Sequence, residues 1–349
     1  MKSFDEIFID KTKYGVKVQT TEYGEVGEHI IIDQGQSQIA GYTDREEGLF
    51  EEVPVVIFGD HTRVIKYVDE PFFLGADGVK VLRSKDDNAN YKYLYYALKN
   101  ARIPDAGYNR HFKWLKEVQI NYPDSDKQAE IVELLDKVSS VIKKREDELC
   151  ALDNLIKARF VEMFGDPSTN PRGWDETTIS DECFYIKDGP HKSLPDIGKE
   201  NGGHPFISVR NIVNGHIDFS TARYISDEDY ADAIRKCHPE KGDMLYSKGG
   251  TTGIAKLIDI DEEFANWVHV AVLKFDKSRL NGVFFENMLN CSYCYEQSQR
   301  LTKGIANRDL VLSAMAQIKL YCPPMELQNQ FADFANQVDK SKVAVLKIF

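Results

Sequence analysis

The chain has 349 residues, 42% hydrophobic and 29% charged, with 44 Lys and Arg against 56 Asp and Glu for a formal net charge of −12. That length suits two domains of ordinary size. No run approaches the ~20 apolar residues of a membrane span, and the acidic balance argues against wrapping nucleic acid by bulk charge, because phosphate contacts need Lys and Arg.

Residues 1–122 read as a β-rich domain. Strand-like runs at 28–32, 53–58, 63–68 and 79–82 are separated by Gly- and Asp-rich turns, and 91–100 reads as a short tyrosine-rich helix. The period then changes over 123–165. Ile131, Leu135, Val138, Ile142, Leu149, Leu152, Ile156, Phe160 and Met163 recur at mostly alternating four-and-three spacing, interrupted at Arg145. This is the seam of a long helix packed on another helix, and at roughly 1.5 Å per residue about 40 residues make a rod of about 60 Å. Asp166-Pro167-Ser168-Thr169-Asn170-Pro171-Arg172-Gly173 ends it. Residues 166–324 hold this linker and a second β-rich domain, with strands expected at 204–209, 242–246, 254–258 and 268–275 and a helix over 282–301. Residues 325–349 close the chain with a helix whose seam is Leu327, Phe331, Phe334, Val338 and Val345. The stripe of Ile131, Leu135, Val138 and Ile142 and that of Phe331, Phe334, Val338 and Val345 are most simply buried against one another. An antiparallel pair and a parallel pair both satisfy the pattern.

The two halves repeat. Tyr122, Pro123, Gln128, Ile131, Leu134 and Val138 are answered by Tyr321, Pro323, Gln328, Phe331, Phe334 and Val338. Asp5-Glu6-Ile7-Phe8 echoes Asp181-Glu182-Cys183-Phe184, Val55-Val56-Ile57-Phe58-Gly59 echoes Asp243-Met244-Leu245-Tyr246-Ser247, and Val79-Lys80-Val81-Leu82 echoes Val270-Ala271-Val272-Leu273. Such a duplication implies two copies of one supersecondary plan, each handing over to a helix. The fold class expected is α+β: two β-rich domains separated by a long helix that pairs antiparallel with a C-terminal helix.

Enzyme motifs fail. Gly198-Lys199 is followed by Glu200, so there is no Walker loop; no Asp/Glu-x-Lys nuclease triplet, Asn-Pro-Pro-aromatic or Asp-Pro-Pro-Tyr methyltransferase tetrapeptide, or G-x-S-x-G elbow occurs. Ser247-Lys248-Gly249-Gly250-Thr251-Thr252-Gly253 lacks the closing Lys-Ser/Thr of a phosphate cradle. Cys150, Cys183, Cys237, Cys291, Cys294 and Cys322 make no disulfide framework, and the opening residues carry no apolar signal core, so a reducing cytoplasm is expected. Cys291-Ser292-Tyr293-Cys294 is one pair where zinc would need two more ligands, and no His-x-x-x-His pair suggests a metal. No metal site is expected. His269, within an apolar run, fits a hydrogen-bonded core histidine.

Three stretches together resemble the specificity (S) subunit of type I restriction-modification enzymes. They are Val56-Ile57-Phe58-Gly59-Asp60-His61-Thr62-Arg63, continued by Pro71-Phe72 and Gly75-Ala76-Asp77-Gly78-Val79-Lys80-Val81-Leu82; Asp243 to Gly253; and the rod's end, where Phe160-Val161-Glu162-Met163-Phe164-Gly165-Asp166-Pro167 follows residues 152–157. With the repeat, the resemblance covers nearly the whole chain. It implies a non-catalytic subunit with two target recognition domains, each reading one half of a bipartite site in double-stranded DNA. It further implies a cytoplasmic, membrane-free complex that is both a site-specific deoxyribonuclease and an adenine methyltransferase. Two modification subunits would carry S-adenosylmethionine, and restriction subunits would use ATP and Mg, with no cofactor in this chain. Two departures stand out: Leu149, Leu152, Ile156 and Phe160 have no counterpart after Val345, and Gly173-Trp174 has none before the first domain. The closing helix is therefore expected to be a shortened form, natural or cut. A methyltransferase with its own cofactor site, or a coiled-coil scaffold without DNA contact, are the competing readings.

Base edges are read by Arg, Lys, Asn, Gln, Ser and Thr, and phosphates by Lys and Arg. On that chemistry the first domain offers Gln34, Gln36, Gln38, His61, Arg63, Tyr108, Asn109, Arg110 and His111. The second offers Lys187, His191, Lys192, Arg210, Asn211, Lys248, Thr251, Thr252, Asn307 and Arg308. An ordinary solvated loop has the same composition as Gln34-Gly35-Gln36-Ser37-Gln38, so exposure decides between the two.

Overall fold

One strand in each half of the chain is apolar almost throughout, and a strand of that kind must be covered on both faces. The computed structural model, which describes the chain except Ala76, Ala106, Tyr108, Ala306 and residues 347–349, shows what covers them. Two compact units result, Met1–Lys144 and Arg145–Phe349.

In the first unit, Phe8–Asp10 (β1), His29–Ile32 (β2), Gly41–Thr43 (β3), Val55–Gly59 (β4), Ile65–Val68 (β5), Phe72–Leu74 (β6) and Val79–Ser84 (β7) form two sheets. The larger is antiparallel in the order β1-β7-β4-β5; the smaller has the order β3-β2-β6, with β2 and β6 parallel. Alternation along β4 explains the layering. Val56 and Phe58 pack with Leu94 and Leu98 of the helix Tyr91–Lys99 (α1), while Val55 and Ile57 pack with Ile32, Phe72 and Leu74 of the smaller sheet. The Asn90 side chain caps α1 by accepting from the Tyr93 N–H at 3.0 Å. The long helix Ser125–Phe164 (α2) joins this unit through Ile131 and Val132, which pack on the same core, and through Asp136, which accepts from Lys92 and Tyr96 at 2.7 Å each. It stops at Gly165, φ +81°, where a Cβ would lie 2.5 Å from the Pro171 ring.

The second unit repeats the plan. Cys183–Asp188 (β8), His204–Ile207 (β9), Arg223–Ile225 (β10), Met244–Ser247 (β11), Ala255–Leu257 (β12), Ala265–Asn266 (β13) and Val270–Phe275 (β14) make the sheets β8-β14-β11-β12 and β10-β9-β13, again with the parallel pair, β9 and β13, in the smaller one. Met244 and Tyr246 face one core and Leu245 the other, as Val56, Phe58 and Ile57 do in the first copy. The helix Asp227–Lys236 (α3) is extra to this plan. It starts at the Ser226 cap, with three acidic residues in its first turn and Arg235 and Lys236 in its last, the polarity that the helix dipole favours. The helix expected over 282–301 is two, Gly282–Asn290 (α4) and Ser292–Leu301 (α5), because Cys291 adopts an extended backbone with ψ 159°.

The closing helix Met325–Leu346 (α6) buries Phe331, Ala332, Ala335, Val338 and Val345. Its partner within the unit is the last part of α2. Phe331 meets Phe160 and Phe164 edge-on at centroid distances of 5.4 and 5.7 Å. The Arg159 guanidinium lies over the Phe334 ring, and Lys342 pairs with Asp153 at 2.6 Å. Contacts that run 153 to 342 and 160 to 331 make this stretch of the pair antiparallel. The apolar stripe of α6 is thus matched by Leu152, Ile156, Phe160 and Phe164. Of the other residues expected on the seam, Ile131 packs on the first unit's core, Leu135 is half-buried, and Val138 and Ile142 are 46% and 40% exposed. Among the described residues no helix is long and apolar enough to cross a membrane.

Candidate nucleic-acid interface

In the first unit four loops meet at the end of the larger sheet. Gln34 holds three of them together: its Nε2 donates to the Asp77 carbonyl oxygen at 2.9 Å, its Oε1 accepts from the His61 N–H at 3.1 Å, and its carbonyl oxygen accepts from the Thr62 hydroxyl at 2.6 Å. Gly78, φ +99°, leaves room for this, since a Cβ there would lie 2.5 Å from Gln34 Oε1. The fourth loop, 101–111, is tied on by Asp105, which accepts from Arg63 at 2.8 Å. The Gly107 N–H and then Arg63 hold the Asp105 carboxyl below its usual range. Arg63 is a non-glycine residue with φ +62°, a left-handed conformation that costs about 1–2 kcal/mol. Beneath the 34–38 loop the Lys66 ammonium is buried, donating to the Ser37 carbonyl oxygen at 2.6 Å, and burial lowers its pKa while Asp33 opposes the shift.

Over this end runs a groove of about 540 Å³ lined by Gln36, Gln38, Thr62, Arg63, Tyr95 and Lys99, among others. Gln36, Gln38, Asn109 and Arg110 are exposed, and Gln38 also donates to the Tyr67 carbonyl oxygen at 2.7 Å. Tyr108 lies outside the described residues. His111 departs from expectation. It is 1% exposed, its backbone N–H donates to the Asp60 carbonyl oxygen at 2.7 Å, and its Nδ1 lies 3.0 Å from that same oxygen. It cannot reach DNA from there. Thr62, Tyr95 and Lys99 are groove residues that the sequence reading passed over; the i, i+4 placement of Tyr95 and Lys99 on one helical face was the available signal.

In the second unit the corresponding loops bring their charged side chains together around the buried Lys248 and Asp188. Lys248 Nζ, on a side chain 6% exposed, lies 3.5 Å from Asp188 Oδ2 and 3.0 Å from Asp309 Oδ1, while Asp188 also meets Lys236 at 3.0 Å and His191 at 3.6 Å. Burial, and then Lys248, lower the pKa of the neighbouring His269. Lys248–Asp309 repeats the connection made by Arg63–Asp105, from the loop after the central strand to the loop after the last helix, but here the cation is buried while the carboxylate stays partly exposed. Gly189 permits the packing, because a Cβ there would sit 1.7 Å from the Asn266 carbonyl oxygen.

Three residues expected to touch DNA here are structural instead. Lys248 is consumed by its ion pairs. Thr252, 1% exposed, bonds the Thr302 hydroxyl at 2.9 Å, and its carbonyl oxygen accepts from Gln299 at 2.9 Å. Asn211, 1% exposed, accepts from the Ser208 N–H at 2.8 Å and hydroxyl at 3.1 Å and donates to the Asp218 carbonyl oxygen at 2.8 Å and the Thr221 hydroxyl at 3.2 Å. Arg308 is half-buried against Gln299 and Thr252. Lys187, His191, Lys192, Arg210, Thr251 and Asn307 are exposed. Lys192 pairs with Asp229 at 3.3 Å, and Arg210, on the separate loop 208–222, donates to the Thr221 carbonyl oxygen.

Comparison with known proteins bears on this duplicated plan. A family model described as the type I restriction modification DNA specificity domain matches residues 7–150 and 171–347, one span for each copy. Over 258 residues the chain is 28% identical to the type I restriction enzyme EcoR124I/EcoR124II specificity subunit of Escherichia coli, a match covering 65% of this chain and 58% of that protein. Over 269 residues it is 22% identical to the MjaIX specificity subunit of Methanocaldococcus jannaschii, covering 70% of this chain and 61% of that protein. The chain therefore spans about three-fifths of the length of these relatives, 58% and 61%. Its fold is shared with the crystal structure of the S subunit of a type I restriction-modification system from M. genitalium, at a TM-score of 0.56 and 16% identity, covering 99% of this chain and 90% of that one. The chain belongs to the type I restriction modification DNA specificity family.

Proposed function

We propose that this chain is the DNA-recognition subunit of a type I restriction-modification system, with each β-rich domain reading one half of a bipartite site in double-stranded DNA. The observation that carries this reading is the duplication itself. One two-sheet plan is built twice, the framework strands match, and the loops at the equivalent ends differ in length, charge and burial. A shared frame with unlike loops is how one fold presents two specificities. The chain supplies recognition and positioning. Modification subunits methylate adenine with S-adenosylmethionine, restriction subunits cut with ATP and Mg, and the complex works in the cytoplasm.

Mapping methylated adenines in DNA from cells that express this chain with its modification partner tests the proposal. A two-part motif with a fixed spacer is expected. One uninterrupted motif, or methylation that persists without this chain, would overturn it.

A further inference from the structure

Arg63 sits in the tight turn between β4 and β5. Its N–H donates to the Gly59 carbonyl oxygen at 2.8 Å, and the Gly59 N–H donates to the Val64 carbonyl oxygen at 2.8 Å. The turn imposes a left-handed backbone on a residue that carries a Cβ, and the Thr62 hydroxyl pins it to the Gln34 carbonyl oxygen. Strain of this kind persists only where the surroundings over-determine it, and it gathers at sites that bind. The side chain is fixed as well. Its Nη2 donates to Asp105 Oδ2 at 2.8 Å, while Asp105 Oδ1 accepts from the Gly107 N–H at 3.0 Å. One carboxylate oxygen thus holds the backbone of the 101–111 loop and the other holds the guanidinium, which lines the groove with its side chain 34% exposed.

The carboxylate decides what such an arginine can bind. At 2.8 Å it offsets the net charge of the guanidinium, and it repels any phosphate brought beside the pair. A base edge is uncharged, and bonding to it needs the planar fork of donors more than the charge. A guanidinium has five N–H donors, so a contact through Nη2 leaves others for a second pair of acceptors. On the major-groove edge guanine presents two acceptors, N7 and O6, whereas adenine pairs an acceptor with a donor, cytosine offers a donor, and thymine offers one acceptor and a methyl group. The repeat-related Lys248 differs: its ammonium, on a side chain 6% exposed, is turned to Asp188 and Asp309.

We infer that Arg63 reads one guanine by its major-groove edge, in the half-site that the first unit recognises, with Asp105 as the positioning residue that aims the guanidinium. The inference rests on the DNA-recognition reading given above and names the base at one position. The second unit makes no equivalent contact at Lys248, so the two half-sites are read by unlike constellations.

The test maps methylated adenines in cells that express the full chain or a variant with its modification partner, then measures binding of the purified complex to duplexes carrying the motif. The half-motif altered by variants in the first unit's loops is expected to hold a G·C pair that Arg63→Ala no longer requires. Discrimination at that pair should fall about 5- to 150-fold, with none lost elsewhere. Arg63→Gly, which accepts the left-handed backbone without strain, should behave in the same way and so separates the lost contact from a lost turn. Asp105→Ala should relax the same pair several-fold, and Asp105→Asn, which keeps an oxygen for Arg63, should restore part of the discrimination. Combining Asp105→Ala with Arg63→Ala should add nothing to Arg63→Ala alone. Placing 7-deazaguanine, which lacks N7, at that pair should weaken binding by the wild-type complex and leave the Arg63→Ala complex unaffected. Asp105→Ala that tightens binding to every sequence and leaves the motif intact would reveal a phosphate contact and overturn the inference. Relaxation at an A·T pair, or a two-part motif unchanged by Arg63→Ala, would overturn it as well. One uninterrupted wild-type motif would instead reject the DNA-recognition reading on which it rests.

Discussion

Replacing Phe331 with alanine should loosen the second unit and spare the first. Phe331 is completely buried, meets two phenyl rings edge-on at 5.4 and 5.7 Å, and is where α6 grips the end of α2. Truncating a buried phenylalanine costs roughly 3–5 kcal/mol, including the cavity left behind. Each well-oriented aromatic pair contributes about 0.5–1.5 kcal/mol beyond its buried area, which puts this site in the upper part of that range, about 4 kcal/mol. Tryptophan fluorescence during denaturant unfolding reads the effect locally. The Trp174 indole N–H donates to the Phe164 carbonyl oxygen at 2.8 Å and so reports on this cluster, whereas Trp114 belongs to the first unit. Single-tryptophan versions should show the Trp174 transition moving to lower denaturant while the Trp114 transition stays in place. A loss below about 1 kcal/mol would refute the packing of α6 described above, since a buried phenylalanine cannot be so cheap to remove.

Other outcomes follow from the same contacts. Asn211→Ala leaves the Ser208 N–H and the Asp218 carbonyl oxygen without their partner, so it should destabilise the second unit by about 2–4 kcal/mol in a thermal or denaturant melt. Arg210→Ala, at an exposed neighbour, should leave the melt nearly unchanged. Arg63→Ala should weaken binding by about 1–3 kcal/mol and relax one base position, while Lys192→Ala should weaken all sequences alike; indistinguishable effects in a competition binding assay would reject that sorting. The Glu182 carboxylate accepts from Arg279 at 2.8 and 2.7 Å, which, chiefly through Arg279, lowers its pKa in the folded state. The resulting stability is present above the unfolded pKa of about 4.3 and fades as pH falls through the lower folded value. Glu182→Gln should therefore cost about 1–2 kcal/mol at pH 7, a range reduced for the solvent screening of the exposed Arg279, and flatten the acid side of a stability–pH profile. The isolated chain, at net charge −12, should bind duplex DNA only weakly at physiological salt; nanomolar, sequence-selective binding by anisotropy would contradict this.

Much of the framework was legible in the sequence because it rests on period and repetition. The run Val55-Val56-Ile57-Phe58-Gly59 announces a strand covered on both faces, and its echo at Asp243 to Ser247 announces the second copy. The stop after Phe164 is visible in Gly165 and Pro167. Helix α3 was missed because its apolar face is sparse, although the Ser226 cap and the acidic first turn mark it. The candidate interface was less legible for a physical reason. Residue type states what a side chain can bond but not whether water or DNA can reach it, so His111, Asn211, Lys248 and Thr252 carry the chemistry of readers and do the work of framework. Arg63 and Lys248 show the limit most clearly: they make repeat-related ion pairs with Asp105 and Asp309, and only the former is open to the groove.

The most direct measurement maps methylated adenines after changing the exposed loops of one domain at a time. One variant set alters Gln36, Gln38, Arg63 and Arg110; another alters Lys187, Lys192, Thr251 and Asn307. Two independent readers predict that each set changes one half of the motif and leaves the other half and the spacer intact. Changes in both halves from a single set would contradict that organisation.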